Sequence, residues 1–196
     1  MLLRRTIPCS CLVAVTLFAT AAAAQNAQPR REPDVPFVPT TEEAVAAMLK
    51  LADVQKTDVV YDLGCGDGRI VIAAAKTYGA RAVGIDINPV RLAEARENLK
   101  KAGPGVEKLV RFEENDLFQA DIHEATVVTL FLLSSVNLKL RPKLLQDLKP
   151  GTRVVSNTFD MGDWKPDKEF TVGNPDEESY LSHHLFLWIV PPHNGK

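Results

Sequence analysis

Apolar and polar positions along this chain fall into short continuous runs and longer periodic stretches, which alternate. The run Asp58-Val59-Val60-Tyr61-Asp62-Leu63 is rich in β-branched and aromatic residues and reads as a buried strand. Glycines at 64, 66 and 68 follow it, and then Ile70, Val71, Ala74 and Tyr78 at helical spacing. Upstream, Thr40-Thr41-Glu42-Glu43 is a capping box that opens a helix with Val45, Met48, Leu49 and Ala52 on one stripe. Downstream, Arg81 to Asn88 is a second strand, and Pro89 to about Ala102 a helix with Leu92, Ala95, Leu99 and Ala102 inward. Gly103-Pro104-Gly105 stops that helix.

Val106 to Phe112 is expected as a third strand, and Ala125 to Leu133 as a central strand buried on both faces. Pro142 suits the first turn of a helix carrying Leu144, Leu145 and Leu148, closed by Lys149-Pro150-Gly151. Thr152 to Asn157 is the fifth strand, and residues 158–166 are too short and turn-rich for a crossover helix. Glu169 to Val172 and Tyr180 to Val190 then read as two strands joined by a polar turn, Gly173 to Ser179. Strands alternating with helices make this an α/β domain. It spans 40–190, with a Pro- and charge-rich linker over 25–39 and a tail over 191–196. Val35-Pro36-Phe37-Val38-Pro39 is stiff and brings Phe37 to the edge of the domain.

Residues 1–24 have a different character. Arg4-Arg5 precede an apolar run from Ile7 to Ala24 that ends Ala21-Ala22-Ala23-Ala24-Gln25. Such a segment is a signal peptide or a membrane anchor. The alanine-rich junction points to export, to a periplasm or to an outward-facing anchor. Balanced arginines at 4–5 and 30–31 leave open an anchor on the cytoplasmic face, and with it membrane association.

Charge narrows the function classes. Arg4 and Arg5 account for two of the 23 Lys and Arg, and the first 24 residues hold no acid. The rest therefore carries 21 basic against 25 acidic side chains, a net −4. That is a poor footprint for nucleic-acid binding, which needs clustered cations, so no nucleic-acid partner is expected. Cys9 and Cys11 lie in the leader and leave Cys65 alone in the domain, so an internal disulfide is excluded there. The four histidines have no metal-ligand spacing, and no metal is expected.

The glycine turn after the first strand is where such folds bind nucleotides. A dinucleotide reading fits it badly. The pattern is GxGxG, Arg69 stands where GxGxxG needs its last glycine, and Asp62 and Asp67 would repel a pyrophosphate. Carboxylates there suit a cationic ligand. S-adenosylmethionine, with an ammonium, a sulfonium and no phosphate, answers that description. Asp86 ends the second strand eighteen residues after Gly68, placed to accept hydrogen bonds from ribose hydroxyls. Asn88-Pro89 is also a helix start, so Asn88 can cap while Asp86 binds ribose. In Glu113-Glu114-Asn115-Asp116-Leu117-Phe118, an acid followed by an apolar residue can bond an adenine amino group and cover the ring, or the stretch is an exposed acidic loop. Ser134, Ser135 and Asn137, beyond the fourth strand, are expected to face the reactive methyl.

Asp62-Leu63-Gly64-Cys65-Gly66-Asp67-Gly68, Asp86 and Asp116-Leu117 occur in the order seen in class I S-adenosylmethionine-dependent methyltransferases, which the chain resembles over about 36–190. The resemblance implies a Rossmann-like, seven-stranded, mostly parallel sheet with an antiparallel C-terminal hairpin. It implies cofactor contacts at Asp62, Gly64, Gly66 and Gly68 around the methionine part, at Asp86 for the ribose and at Asp116 for the adenine; Asp67, Ile87 and Leu117, beside these, are expected to bind the cofactor too. Val35-Pro36-Phe37-Val38-Pro39-Thr40 and Gly66-Asp67-Gly68-Arg69-Ile70-Val71-Ile72-Ala73-Ala74-Ala75-Lys76 look more narrowly like mitochondrial protein-lysine methyltransferases, those of the ATP synthase c-subunit and of the adenine nucleotide translocase. The loop after strand five, with Phe159 and Trp164-Lys165-Pro166-Asp167, is similar too, whereas Leu132-Leu133-Ser134-Ser135 departs from that pattern.

The expected activity is methyl transfer to a protein lysine. A neutral lysine is favoured by desolvation, and Phe37, Phe159 and Trp164 are candidates to line its channel, with Asn157 beside them at the end of strand five. No residue stands out as a general base. Two alternatives stay open: a small-molecule or lipid acceptor near a membrane, and a non-catalytic envelope protein that binds S-adenosylhomocysteine.

Overall fold

The structure, a computed structural model, describes residues 32, 33, 35, 37–173 and 183–193. The signal or anchor segment, most of the linker, the polar turn before Tyr180 and the last residues of the tail lie outside them. Among the described residues no helix is long and apolar enough to cross a membrane.

Seven strands form one sheet: β1 (Val59–Leu63), β2 (Arg81–Asp86), β3 (Val110–Glu114), β4 (Val127–Leu130), β5 (Arg153–Asn157), β6 (Lys168–Val172) and β7 (His183–Ile189). Their spatial order is β3-β2-β1-β4-β5-β7-β6. The first five are parallel, and β7 runs antiparallel between β5 and β6. The expected sheet, parallel with an antiparallel terminal pair, is the observed one. All five residues of β1 are buried, as a strand covered on both faces must be. Val60 enters one core with Met48, Leu49, Val71 and Ala74, whereas Val59, Tyr61 and Leu63 enter another with Leu140, Leu144 and Trp188. Helices α1 (Glu42–Leu51) and α2 (Arg69–Tyr78) thus cover one face, and α5 (Ser134–Asp147) covers the other. The chain winds outward from β1 through β2 to β3 and returns on the far side of β1 as β4. That reversal opens a crevice at the C-terminal ends of β1 and β4.

Local chemistry accounts for the element ends. Thr41 caps α1, its Oγ1 accepting from Ala44 N at 3.2 Å, so the cap is a threonine acting alone rather than a reciprocal box. Asn88 caps α3 (Pro89–Ala102), its Oδ1 accepting from Val90 N at 2.9 Å.

Two expectations are corrected. Val106 is not in the third strand: Pro104 restarts a short helix, α4 (Pro104–Glu107), and β3 begins only at Val110. Pro at a first helical position suits a restart, because its missing N–H has no partner there anyway. Pro142 does not start a helix either, since α5 already begins at Ser134 and carries Pro142 inside it. Val136, Asn137, Leu140 and Leu144 bury one stripe that overrides the proline. The carbonyl deprived of its bond is that of Leu138, an exposed residue, so water can satisfy it.

Candidate active site

The crevice is a cleft with about 980 Å³ of space, open to solvent. The glycine turn forms its floor. Gly64 N and Cys65 N both donate to Ile85 O, at 2.8 and 3.0 Å, which binds the turn to β2. Gly66 and Gly68 have φ of +53° and +78°, a region open to glycine and costly for other residues. Space excludes side chains as well. A Cβ on Gly66 would lie 2.4 Å from the Phe37 ring, and one on Gly68 2.6 Å from Phe112.

Three acids meet at this turn, each in a different state. Asp62 is 3% exposed, with Oδ1 accepting from Thr129 Oγ1 at 2.8 Å. Burial, reinforced by the charges of Asp86 and Asp67, pushes its carboxyl up to about 7. Asp67 is paired: Arg69 Nε and Nη2 donate to it at 2.9 and 2.6 Å. Burial pushes that carboxyl up, but the bonds and charge of Arg69 outweigh it and hold it below the usual range. Its charge is thus spent on Arg69 rather than offered to a ligand. Asp86 accepts from Gly66 N and from Asn88 N, both at 2.8 Å, so it braces the turn and the start of α3. A carboxylate has about four acceptor sites, which leaves capacity on the cleft side. Burial pushes the Cys65 thiol well above its ordinary range, so it stays protonated.

The roof is the segment ahead of α1. Arg69 Nη1 donates to Thr40 O at 2.6 Å, and the Arg91 guanidinium lies 4.6 Å from the Phe37 ring centre, within cation–π reach. Val35 and Phe37 line the cleft with Pro39 and Thr40, so the latter part of the expected linker belongs to the site. On the β3 side Asp116 Oδ1 accepts from Phe118 N at 2.9 Å, and Asp116 and Leu117 line the cleft with Ile87. The loop after β4 supplies Phe131 and Leu132, and α5 supplies Val136.

S-adenosylmethionine can be tested against this donor set. A buried acid whose nearest charged neighbours are acids costs the protein energy until a cation arrives. The cleft therefore suits a ligand with a cationic end, and a pyrophosphate would meet Asp62 and Asp86 instead of donors.

Comparison with known proteins agrees. The profile of the ANTKMT methyltransferase domain matches residues 62–168. A protein-lysine N-methyltransferase of Saccharolobus islandicus is 46% identical over 162 residues, covering 82% of this chain and 97% of that protein. The chain belongs to the ANTKMT methyltransferase family. The lysine N-methyltransferase of the ATP synthase c-subunit from Xenopus laevis is 35% identical over 71% of this chain, which spans 60% of that longer protein. A crystal structure of an RNA methyltransferase from Salinibacter ruber, in complex with S-adenosyl-L-homocysteine, superposes with a TM-score of 0.72 at 54% identity, covering 81% of this chain and 97% of that one. The protein is a methyltransferase, and its methyl donor is S-adenosylmethionine.

For this ANTKMT-family enzyme the structure gathers Asp62, Gly64, Asp67, Asp86, Ile87, Asp116, Leu117 and Phe37 around one cleft, with Gly66 and Gly68 in the turn beneath. Phe159 stacks on Phe131 with ring centres 6.2 Å apart. Asn157 is fully buried at the end of β5, and its Oδ1 lies 3.1 Å from His183 Nδ1. Trp164 is elsewhere. It tilts against the buried Trp188 at 5.9 Å, and its carbonyl accepts from Trp188 Nε1 at 2.7 Å. Its ring completes the core on the α5 face, because the loop after β5 folds back over that side. Ser134 and Ser135 open α5 and do not line the cleft. Asn137 is buried and donates to Ser156 Oγ and to the Phe159 carbonyl. The expectation that these three face the methyl is therefore corrected, because the helix begins at Ser134, well before the proline.

Sequence reasoning missed Phe131, Thr129, Arg91 and Gly84. A Cβ on Gly84 would lie 2.7 Å from Phe112 and 2.8 Å from Cys65 Sγ. A glycine inside an apolar strand run signals such a close approach, and this was the available clue.

Proposed function

We propose that this enzyme transfers the methyl group to the ε-amine of a lysine in a protein. The observation that carries the reading is the 46% identity to a protein-lysine N-methyltransferase over 97% of that protein's length. Bound S-adenosylmethionine supplies a methyl on a sulfonium, already activated for in-line displacement. The chain's own groups then have to bind, orient and exclude water. In this reading Asp62 faces the cationic methionine end, Asp86 accepts from ribose hydroxyls, and Asp116 with Leu117 holds the adenine. Gly64, Gly66 and Gly68 let the backbone approach, and Phe37 closes the roof.

The similarity to the Salinibacter ruber protein, an RNA methyltransferase by name, favours a second reading, methylation of RNA. The net −4 of residues 25–196 weighs against it, because RNA binding draws on clustered cations. Incubating the purified enzyme with methyl-labelled S-adenosylmethionine and separated protein and RNA fractions decides between them. The lysine reading expects label in protein, released as methyl-lysine on acid hydrolysis. Label confined to RNA overturns it.

Residues 1–24 support export or anchoring of the domain. Alkaline phosphatase fused to the C-terminus, active only after export, tests this. An inactive fusion contradicts export.

A further inference from the structure

A second group of polar side chains gathers at the same end of the sheet, beyond Phe131. Asn157 is the last residue of β5, and His183 is the first of the antiparallel β7, so both reach the edge where β4 ends. By strand alternation they share a face with Val155 and Leu185, which pack into the α1 core. Asn157 is 0% and His183 6% exposed. The His183 ring bridges them to α1: Nδ1 lies 3.1 Å from Asn157 Oδ1, and Nε2 lies 3.3 Å from Thr41 Oγ1. Thr158 Oγ1 donates to the same Asn157 oxygen at 3.0 Å.

Among the described residues the other end of this amide has no partner. Asn157 Nδ2 is buried without a hydrogen bond, a state that costs a native protein free energy and is rare. The backbone beside it is strained. Thr158, a β-branched residue, has φ +68° in a three-residue turn closed by Phe159 N donating to Asn157 O at 2.8 Å. Two rings join this cluster to the cleft. Phe131, which lines it, meets His183 edge-on at 6.3 Å and stacks on Phe159 at 6.2 Å. Burial lowers the His183 pKa, with Glu43 nearby opposing, so the ring is neutral and can use either tautomer. A half-turn of the Asn157 amide, with the matching change of tautomer, exchanges oxygen for nitrogen at the unpaired end and leaves the other bonds filled.

We propose that the unpaired end of the Asn157 amide is the acceptor-amine site of this enzyme, and that His183 and Thr41 are positioning residues that fix it. The ligand class is a neutral primary amine on an alkyl chain. This rests on the lysine reading above and adds where the nitrogen is held. One N–H of the amine donates to the amide oxygen, and Phe131 and Phe159 flank the alkyl stem. The lone pair is left to form the N–C bond as the S–C bond breaks. The sulfonium becomes a neutral thioether, and the surplus proton on the nitrogen leaves to water.

The probe is an analogue of S-adenosylhomocysteine whose sulfur is replaced by a nitrogen bearing a short alkyl chain that ends in an amine. The control ends in a methyl. Calorimetry on the full chain should show the amine form binding about tenfold tighter, the worth of one buried hydrogen bond. Asn157→Leu should erase the preference and leave S-adenosylhomocysteine affinity intact, Asn157→Asp should restore it, and His183→Phe should reduce it. An amine preference that survives Asn157→Leu, or that Asn157→Asp fails to restore, overturns the proposal. If Asn157→Leu does not fold, as loss of S-adenosylhomocysteine binding would reveal, the isosteric Asn157→Asp decides against wild type: a stronger amine preference supports the proposal and an unchanged one overturns it. Wild-type protein that binds S-adenosylhomocysteine but shows no amine preference sinks this site alone. Label appearing only in RNA sinks the lysine reading instead.

Discussion

Replacing Asp62 by Asn keeps the shape of the side chain and the acceptor for Thr129, and removes the charge. Without a cation beside it that charge is a burden. Desolvation, then Asp86 and Asp67, raise the carboxyl from 3.8 to about 7, a shift worth about 4 kcal/mol at about 1.4 kcal/mol per pH unit. The folded value lies above the unfolded one. The contribution to stability is therefore complete below the unfolded value of 3.8 and is lost as pH rises through about 7. Below pH 3.8 the side chain is protonated folded and unfolded alike and Asp62→Asn changes little, whereas at pH 5 the unfolded carboxyl is already ionised and the cost has reached about 1.6 kcal/mol. At pH 8 the variant escapes the cost. Recovering even half of it, about 2 kcal/mol, raises the melting temperature of the apo protein by about 4–8 °C for a domain of this size. Cofactor binding moves the other way. A cation beside Asp62 draws its pKa back down, so wild-type affinity for S-adenosylmethionine should climb between pH 6 and 8, by up to tenfold per pH unit below about 7. The variant should bind more weakly and lose the slope. Differential scanning fluorimetry across pH, with calorimetry at pH 6 and 8, reads both. A stability difference that stays flat from pH 5 to 8, or unchanged cofactor affinity in the variant, refutes the reasoning.

Other substitutions separate the remaining roles. Asp67→Asn should weaken S-adenosylmethionine and S-adenosylhomocysteine by equal factors, because it loosens the Arg69 link to Thr40 rather than removing an open charge; a selective loss of the cationic ligand in calorimetry would contradict this. Gly66→Ala forces a side chain into φ +53° and onto the Phe37 ring, and should cost about 1–3 kcal/mol with a clear loss of cofactor affinity; a fully active Gly66→Ala enzyme in a methyl-transfer assay would refute it. Trp164→Ala should lower stability by about 2–4 kcal/mol through lost packing on Trp188 while leaving the S-adenosylhomocysteine dissociation constant unchanged; denaturant titration and calorimetry check the two halves.

The sheet and the cleft over the glycine turn are legible because their signals are local. A buried strand, a glycine turn and a strand-end acid each announce themselves within a few residues, and Asp62, Gly66 and Asp86 meet at the switch point by the rules of the fold. The misreadings came from tertiary competition. Pro142 is a strong local sign of a helix start, yet the stripe from Val136 to Leu144 buries enough to carry the helix past it. Trp164 looked like a channel wall because an aromatic in a loop can be one, but the partner that claims it, Trp188, lies far along the chain. Asp67 reads as an open charge until Arg69, two residues on, folds back on it. Around Asn157 the sequence offers Asn157 and Phe159 as candidates but not the contact that ties them to α1. His183 meets Thr41 across 142 positions, and no periodicity encodes that meeting. Only the split of the adjacent histidines follows from strand alternation, His183 being buried and His184 exposed.

The central claim is that the cleft over the glycine turn binds the methyl donor through its cationic end. Calorimetric titration of the purified protein with S-adenosylmethionine and, separately, with NADH tests it most directly. One-to-one binding of S-adenosylmethionine at micromolar concentration or below, weakened in Asp62→Asn, with no heat from NADH, is the predicted result. Binding of NADH without S-adenosylmethionine would contradict the account.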